Sequence, residues 1–80
     1  SNLVINDFTT QDTLAFHEHT GHPGSGDIVT GVTDGGVGGD VVIHMTTGGH
    51  AVTIDLVGIG TGSLNSLTAL ANAGYHLTFS

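Results

Sequence analysis

The sequence predicts an all-β domain closed by one short C-terminal helix. Three observations carry that expectation. Val52, Ile54 and Leu56 alternate with Thr53 and Asp55 at period two, the signature of a strand with one buried face. The chain holds 14 glycines in 80 residues, several of them paired between apolar runs, which is the punctuation of tight turns. Only near the C-terminus does the period change, with Leu64, Leu67 and Leu70 spaced by three and Gly74 placed as a helix stop.

In chain order, Leu3 to Phe8 (LVINDF) and Asp12 to Phe16 (DTLAF) read as two short strands joined by the polar turn Thr9-Thr10-Gln11. His17 to Gly26 (HEHTGHPGSG) has three histidines, three glycines and the lone proline, leaves no alternation to follow, and reads as a surface loop. Asp27 to Thr33 is a weak strand, and Gly35 to Gly39 a tight turn. Val41 to Thr46 and Ala51 to Val57 form a strand pair joined through Thr47-Gly48-Gly49. A helix follows from about Ser66 to Ala73, with Ser63 or Ser66 as its N-cap. Tyr75 to Phe79 closes the chain as a strand, with Tyr75, Leu77 and Phe79 on one face.

Residues 1–80 make a single domain at most, and a chain of this size buries well under three quarters of its unfolded surface, so its stability margin is thin. With no cysteine there is no disulfide framework, which leaves metal binding, self-association or stacking on a neighbouring domain as supplements. No run of 18 apolar residues and no basic segment ahead of an apolar one occurs, so neither membrane insertion nor an N-terminal signal peptide is expected. Export, if it occurs, takes another route.

No lysine or arginine occurs in the chain, where average usage predicts on the order of ten. Seven carboxylates (Asp7, Asp12, Glu18, Asp27, Asp34, Asp40 and Asp55) thus have no protein cation to pair with. They must be solvated, sit at helix N-termini, or bind a metal. A chain of formal charge −7 repels polyanions, which argues against nucleic acid and anionic membranes as partners, and against chemistry that needs a basic clamp.

Gly35 to Ile43 (GGVGGDVVI) matches the nonapeptide GGxGxDxUx, in which a glycine-rich loop offers carbonyls and an aspartate to calcium, and Asp40 falls at the acid position. With the flanking order VINDFTTQDTLAF, then GGDVVIHMTTGGHAVTIDLVGIG, then LNSLTALANAGYHLTF, the chain resembles the RTX calcium-binding proteins. The likeness is to the region that follows the repeats in bacterial type I secretion substrates. The resemblance implies a right-handed β-roll or β-helix-like tail, with a small β-sandwich as the alternative architecture. It also implies an extracellular or cell-surface bacterial location, the type I secretion machinery as partner, and calcium as cofactor. By the same resemblance Asp7 and Asp12 help to hold a terminal ion. The family places calcium between loops of successive coils, and no second matching nonapeptide adjoins this one. The histidine loop after Phe16 is also outside the family pattern.

His17, His19 and His22 form an HxHxxH cluster that offers imidazoles to zinc or copper. A flexible Gly-Pro loop preorganises them poorly, so a histidine-rich transition-metal module is the weaker alternative, and solvated histidines the plainer reading. Asp55 falls on the outward face of its strand and reads as a solvated acid. Serines 25, 63 and 66 lack a nucleophile elbow. The expectation is a non-catalytic C-terminal module serving type I export and calcium-assisted folding outside the cell. The rival is a self-assembling extracellular surface or matrix protein that polymerises through open strand edges.

Overall fold

The computed structural model describes residues 2–16 and 27–79. Six strands and one helix follow in the order β1 (Asn2–Ile5), β2 (Thr13–Phe16), β3 (Asp27–Asp34), β4 (Val41–Thr47), β5 (His50–Leu56), α1 (Leu67–Asn72) and β6 (His76–Phe79). The all-β expectation with one short C-terminal helix therefore holds.

The described residues build two sheets. The larger has the order β1-β5-β4-β3, and the smaller pairs β2 with β6. β4 and β5 are an antiparallel hairpin in register from Val41↔Leu56 to Thr47↔His50, turned by Gly48 and Gly49 at φ 56° and 83°. That is the two-residue turn whose twist matches its strands. β3 pairs antiparallel with β4, with a bulge at Thr30 between Val29 and Gly31. The bulged residue still contributes a bond, since Thr30 Oγ1 donates to the His44 carbonyl at 3.1 Å.

The remaining pairings are parallel. β1 lies along β5 from Asn2↔Thr53 to Ile5↔Leu56, and β2 lies along β6 from Thr13↔His76 to Phe16↔Phe79. The first two strands of the chain are thus retraced, in the same order and direction, by the fifth and sixth. LVINDF and DTLAF do not pair with one another. β1 stops at Ile5 because the chain turns at Asn6-Asp7 to bring Phe8 inward, where it is buried and stacks on Tyr75 with ring centroids 5.4 Å apart.

Alternation sets the core. Val41, Ile43 and Met45 of β4 face inward with Ile54 and Leu56 of β5, and they join Leu14 and Phe16 of β2 in one apolar cluster. Leu64 and Leu70 close it. The helix is shorter than the leucine spacing suggests. Ser66 is its N-cap, accepting from the Ala69 N–H at 3.0 Å, so Ser63 and Leu64 lie ahead of the helix. At the other end the Tyr75 N–H donates to the Leu70 carbonyl and the Gly74 N–H to that of Ala71, each at 3.1 Å, which is a Schellman closure. Among the described residues no helix is long and apolar enough to cross a membrane.

Candidate functional site

Asp34, Asp40 and Asp55 lie around the end of the four-stranded sheet where β3 leads into β4. Asp34 ends β3, and its side chain is surrounded by backbone N–H groups rather than by cations. Oδ2 accepts from Thr61 at 3.0 Å, Gly62 at 2.8 Å and Leu64 at 2.8 Å, while Oδ1 accepts from Gly36 at 2.8 Å. Partial loss of solvent pushes this carboxyl upward. The N–H donors of Leu64, Gly36, Thr61 and Gly62 outweigh that effect and hold it at about 2, below the ordinary 3.8. Asn65 completes the tie by accepting the Asp34 N–H through Oδ1 at 3.1 Å.

Inside this cradle the glycine loop and the segment after β5 close on each other. Gly60 donates to the Gly39 carbonyl at 2.8 Å and accepts from the Gly38 N–H at 3.3 Å. The fit has no room for a side chain. A Cβ on Gly60 would collide with the Gly36 carbonyl oxygen and lie 2.7 Å from that of Gly39 and 2.8 Å from Asp34 Oδ1. The Gly36 carbonyl also accepts the Gly39 N–H at 2.9 Å, and the Asp40 carbonyl the Gly35 N–H at 2.9 Å. The carbonyl oxygens of Gly36, Gly39 and Asp40 are therefore already engaged by the chain's own backbone.

Asp40, at the acid position of the nonapeptide, accepts the Gly58 N–H through Oδ1 at 3.1 Å. Its neighbour is Asp55. The β4–β5 register sets Asp55 opposite Val42, so the two acids sit diagonally across adjoining strands on the outward face. Asp55 differs from the solvated acid that its strand position predicts. The residue is half-buried, and its Oδ1 is fully buried without a hydrogen-bond partner. The hydrogen bond that a protonated Asp55 can make to the Asp40 carboxyl, then loss of solvent, then the Asp40 charge push the Asp55 pKa upward. Carboxylates so placed either share a proton or hold a cation between them. The donor set, two hard oxygen ligands with one buried oxygen unsatisfied, fits a hard divalent ion better than a soft one.

The other predicted ligands are dispersed. Asp12 folds back on its own turn, its Oδ2 accepting from the Thr9 N–H at 2.9 Å and from Thr9 Oγ1 at 3.3 Å. Asp7 is exposed on the turn after β1. His17, His19 and His22 lie outside the described residues. Of the remaining histidines, His44 is exposed on β4 with Nε2 3.2 Å from Thr33 Oγ1, and His50 and His76 are exposed at the starts of β5 and β6. Among the described residues no three His, Asp or Glu side chains converge on one point.

Asp34 and Gly60 are the residues that sequence reasoning missed. The signal for Asp34 was its place directly before the glycine run, as Asp40 directly follows it. Gly60 carried none, because its partners lie more than twenty residues away in the chain. Comparison with family models, curated proteins and solved structures finds no match.

Proposed function

We propose that the chain is a non-catalytic C-terminal module of a secreted RTX-like protein, serving type I export and calcium-assisted folding outside the cell. The observation that carries this reading is the double parallel pairing, β1 on β5 and β2 on β6. Two passes of chain along the same two-sheet path, in one direction, are what successive turns of a β-roll or β-helix would present. The β3–β4 hairpin and α1 are then additions to the second turn.

The Asp40–Asp55 pair gives calcium a place in the account. An ion held there supplies the partner that Asp55 Oδ1 lacks and removes the repulsion between the carboxylates. Since it binds only the folded arrangement, it stabilises the fold where calcium is plentiful and leaves it loose where calcium is scarce. That is the order of events an exported chain needs.

Export is tested by fusing the 80 residues to the C-terminus of a slow-folding passenger in a bacterium carrying a type I exporter. Passenger in the medium only when exporter and module are both present supports the reading. Equal retention with and without the module removes it.

The second reading, self-assembly through open edges, is favoured by a separate observation. Among the described residues β1 is an edge strand with no bulge, no proline and no charged residue, and Leu3 and Val4 on it are 52% and 53% exposed.

A further inference from the structure

Resting on that second reading, we infer that the β1 edge is a self-complementary joint for a second copy of this chain, paired antiparallel about Val4. The backbone defines which groups are open. The Ile5 carbonyl accepts from Val57 at 3.0 Å, so Ile5, and by alternation Leu3, direct their peptide groups at β5. Asn2 and Val4 therefore direct theirs away from the sheet, and only another extended strand satisfies such a row.

The two edges of the four-stranded sheet are not equivalent. β3 is kinked by the bulge at Thr30, which breaks the regular row of groups that a second copy would have to match. β1 reads Asn-Leu-Val-Ile. In a chain of formal charge −7 it is the edge of this sheet with an unbroken ladder and no acid within the strand.

A two-fold axis perpendicular to the sheet keeps each face on its own side, and centring it on Val4 makes Val4 and its copy exchange both N–H···O bonds. Leu3 then lies opposite Ile5 of the second copy. Leu3 and Ile5 pair with the buried Ile54 and Leu56, so they share the core side of the sheet, and the joint covers the half-exposed Leu3 with apolar surface. The ladder spans Leu3 to Ile5 of each copy, and Asn6 and Asp7, in the turn that ends β1, lie past it. The product is one eight-stranded sheet. A ladder this short buries less than a permanent dimer needs, so the pairing is reversible and concentration-dependent.

Sedimentation velocity of the 80-residue chain over a wide concentration range tests it. The wild type shifts from monomer to dimer as concentration rises. Val4→Pro removes the outward N–H and leaves the β5 pairing of Leu3 and Ile5 intact, so it stays monomeric with an unchanged strand spectrum. Because the chain has no cysteine, a second variant reads the register directly. Val4→Cys forms a disulfide dimer under mild oxidation, since paired Cα atoms in such a ladder are about 5.5 Å apart, while Thr33→Cys on the far edge does not. Association that persists in Val4→Pro, or equal crosslinking of both cysteine variants, overturns the β1 joint but leaves self-assembly standing. A wild type that is monomeric at every attainable concentration overturns both.

Discussion

Asp34 accepts the backbone N–H of Leu64 at 2.8 Å across 30 residues of chain. Two further bonds from the same Oδ2 atom, to Thr61 and Gly62, make one carboxylate oxygen the fixed point of the segment between β5 and α1. That segment delivers Leu64 to the core, where it is 4% exposed. In a chain without lysine or arginine, backbone amides supply the positive partial charges that cations supply elsewhere.

Replacing Asp34 should therefore lower the melting temperature more than replacing any other acid. Asp34→Asn keeps an oxygen for the three donors at Oδ2 and turns its amide on the Gly36 N–H, so its loss is smaller than that of Asp34→Ala. Asp12→Ala, which undoes only a local turn, loses least. The pH dependence has a defined sign. The folded-state pKa of Asp34, about 2, lies below the ordinary 3.8, so its stabilisation is complete above that ordinary value and fades as pH falls toward 2. Melting curves of wild type and Asp34→Asn should differ by a constant amount above about pH 5 and converge near pH 2. A gap that persists at pH 2 would refute the cradle as an electrostatic device.

Gly60→Ala should destabilise the fold by about 1–3 kcal/mol or more, because the added methyl meets three oxygens held by backbone and by Asp34. Gly31→Ala provides the contrast. Its Cβ has nothing within 4 Å, so the change should be neutral or stabilise by about 0.4–1 kcal/mol through the unfolded state. Urea unfolding of the two variants side by side checks the pair, and equal effects would remove Gly60 as the closing contact between the loops.

Leu70 has no exposed surface, although its helix is only six residues long. Truncation to alanine should cost about 2–5 kcal/mol, the range for a fully buried leucine, and Leu67→Ala, at a half-buried site, should cost less. A Leu70→Ala protein with wild-type stability would mean that α1 is not part of the core.

What was legible beforehand follows from the range of each interaction. The β4–β5 hairpin, the helix position and the N-cap Ser66 depend on neighbours within a few residues, and the alternation of Val52, Ile54 and Leu56 and the spacing of Leu64, Leu67 and Leu70 announce them. The expected helix, about Ser66 to Ala73, agrees with α1 and its two caps, whereas Leu64, three residues before Leu67, is buried by the Asp34 cradle rather than by a helical face. The parallel pairings of β1 and β2 were not legible, since nothing in NLVI or TLAF names a partner some fifty or sixty residues on. The same holds for Asp55. Its strand position says outward, and only the β4 register brings Asp40 beside it.

That juxtaposition makes a prediction about metal. At neutral pH without a cation, the raised pKa of Asp55 marks a group whose ionised form the fold disfavours, so its contribution is present at low pH and lost as pH rises through the folded value. Asp55→Asn should accordingly raise the melting temperature in chelator. In the wild type, millimolar calcium should raise it and magnesium should not, because flexible oxygen ligands suit the larger ion. Asp40→Asn and Asp55→Asn should each abolish the calcium response, whereas Asp7→Asn and Asp12→Asn should keep it. Scanning calorimetry in chelator, calcium and magnesium decides the matter, and superimposable wild-type scans would take calcium out of the account.

Acid should promote association. The chain carries a formal charge of −7 and six histidines. Acid protonates imidazole ahead of carboxylate, so the net charge moves from −7 toward zero between about pH 6 and 4.5. Over that interval the repulsion that separates copies fades, and the uncharged β1 edge, with Leu3 and Val4 half-exposed, is left to pair. Raising salt at pH 7.5 should act in the same direction by screening the same charges. Any metal held by imidazole should be released over the upper part of the range, because only the neutral ring coordinates. Sedimentation at constant salt from pH 7.5 to 4.5 measures the effect, with Val4→Pro run alongside. A wild type that remains monomeric throughout would show that charge is not what keeps the edges apart. Acid-induced association that Val4→Pro leaves untouched would place it on some surface other than β1.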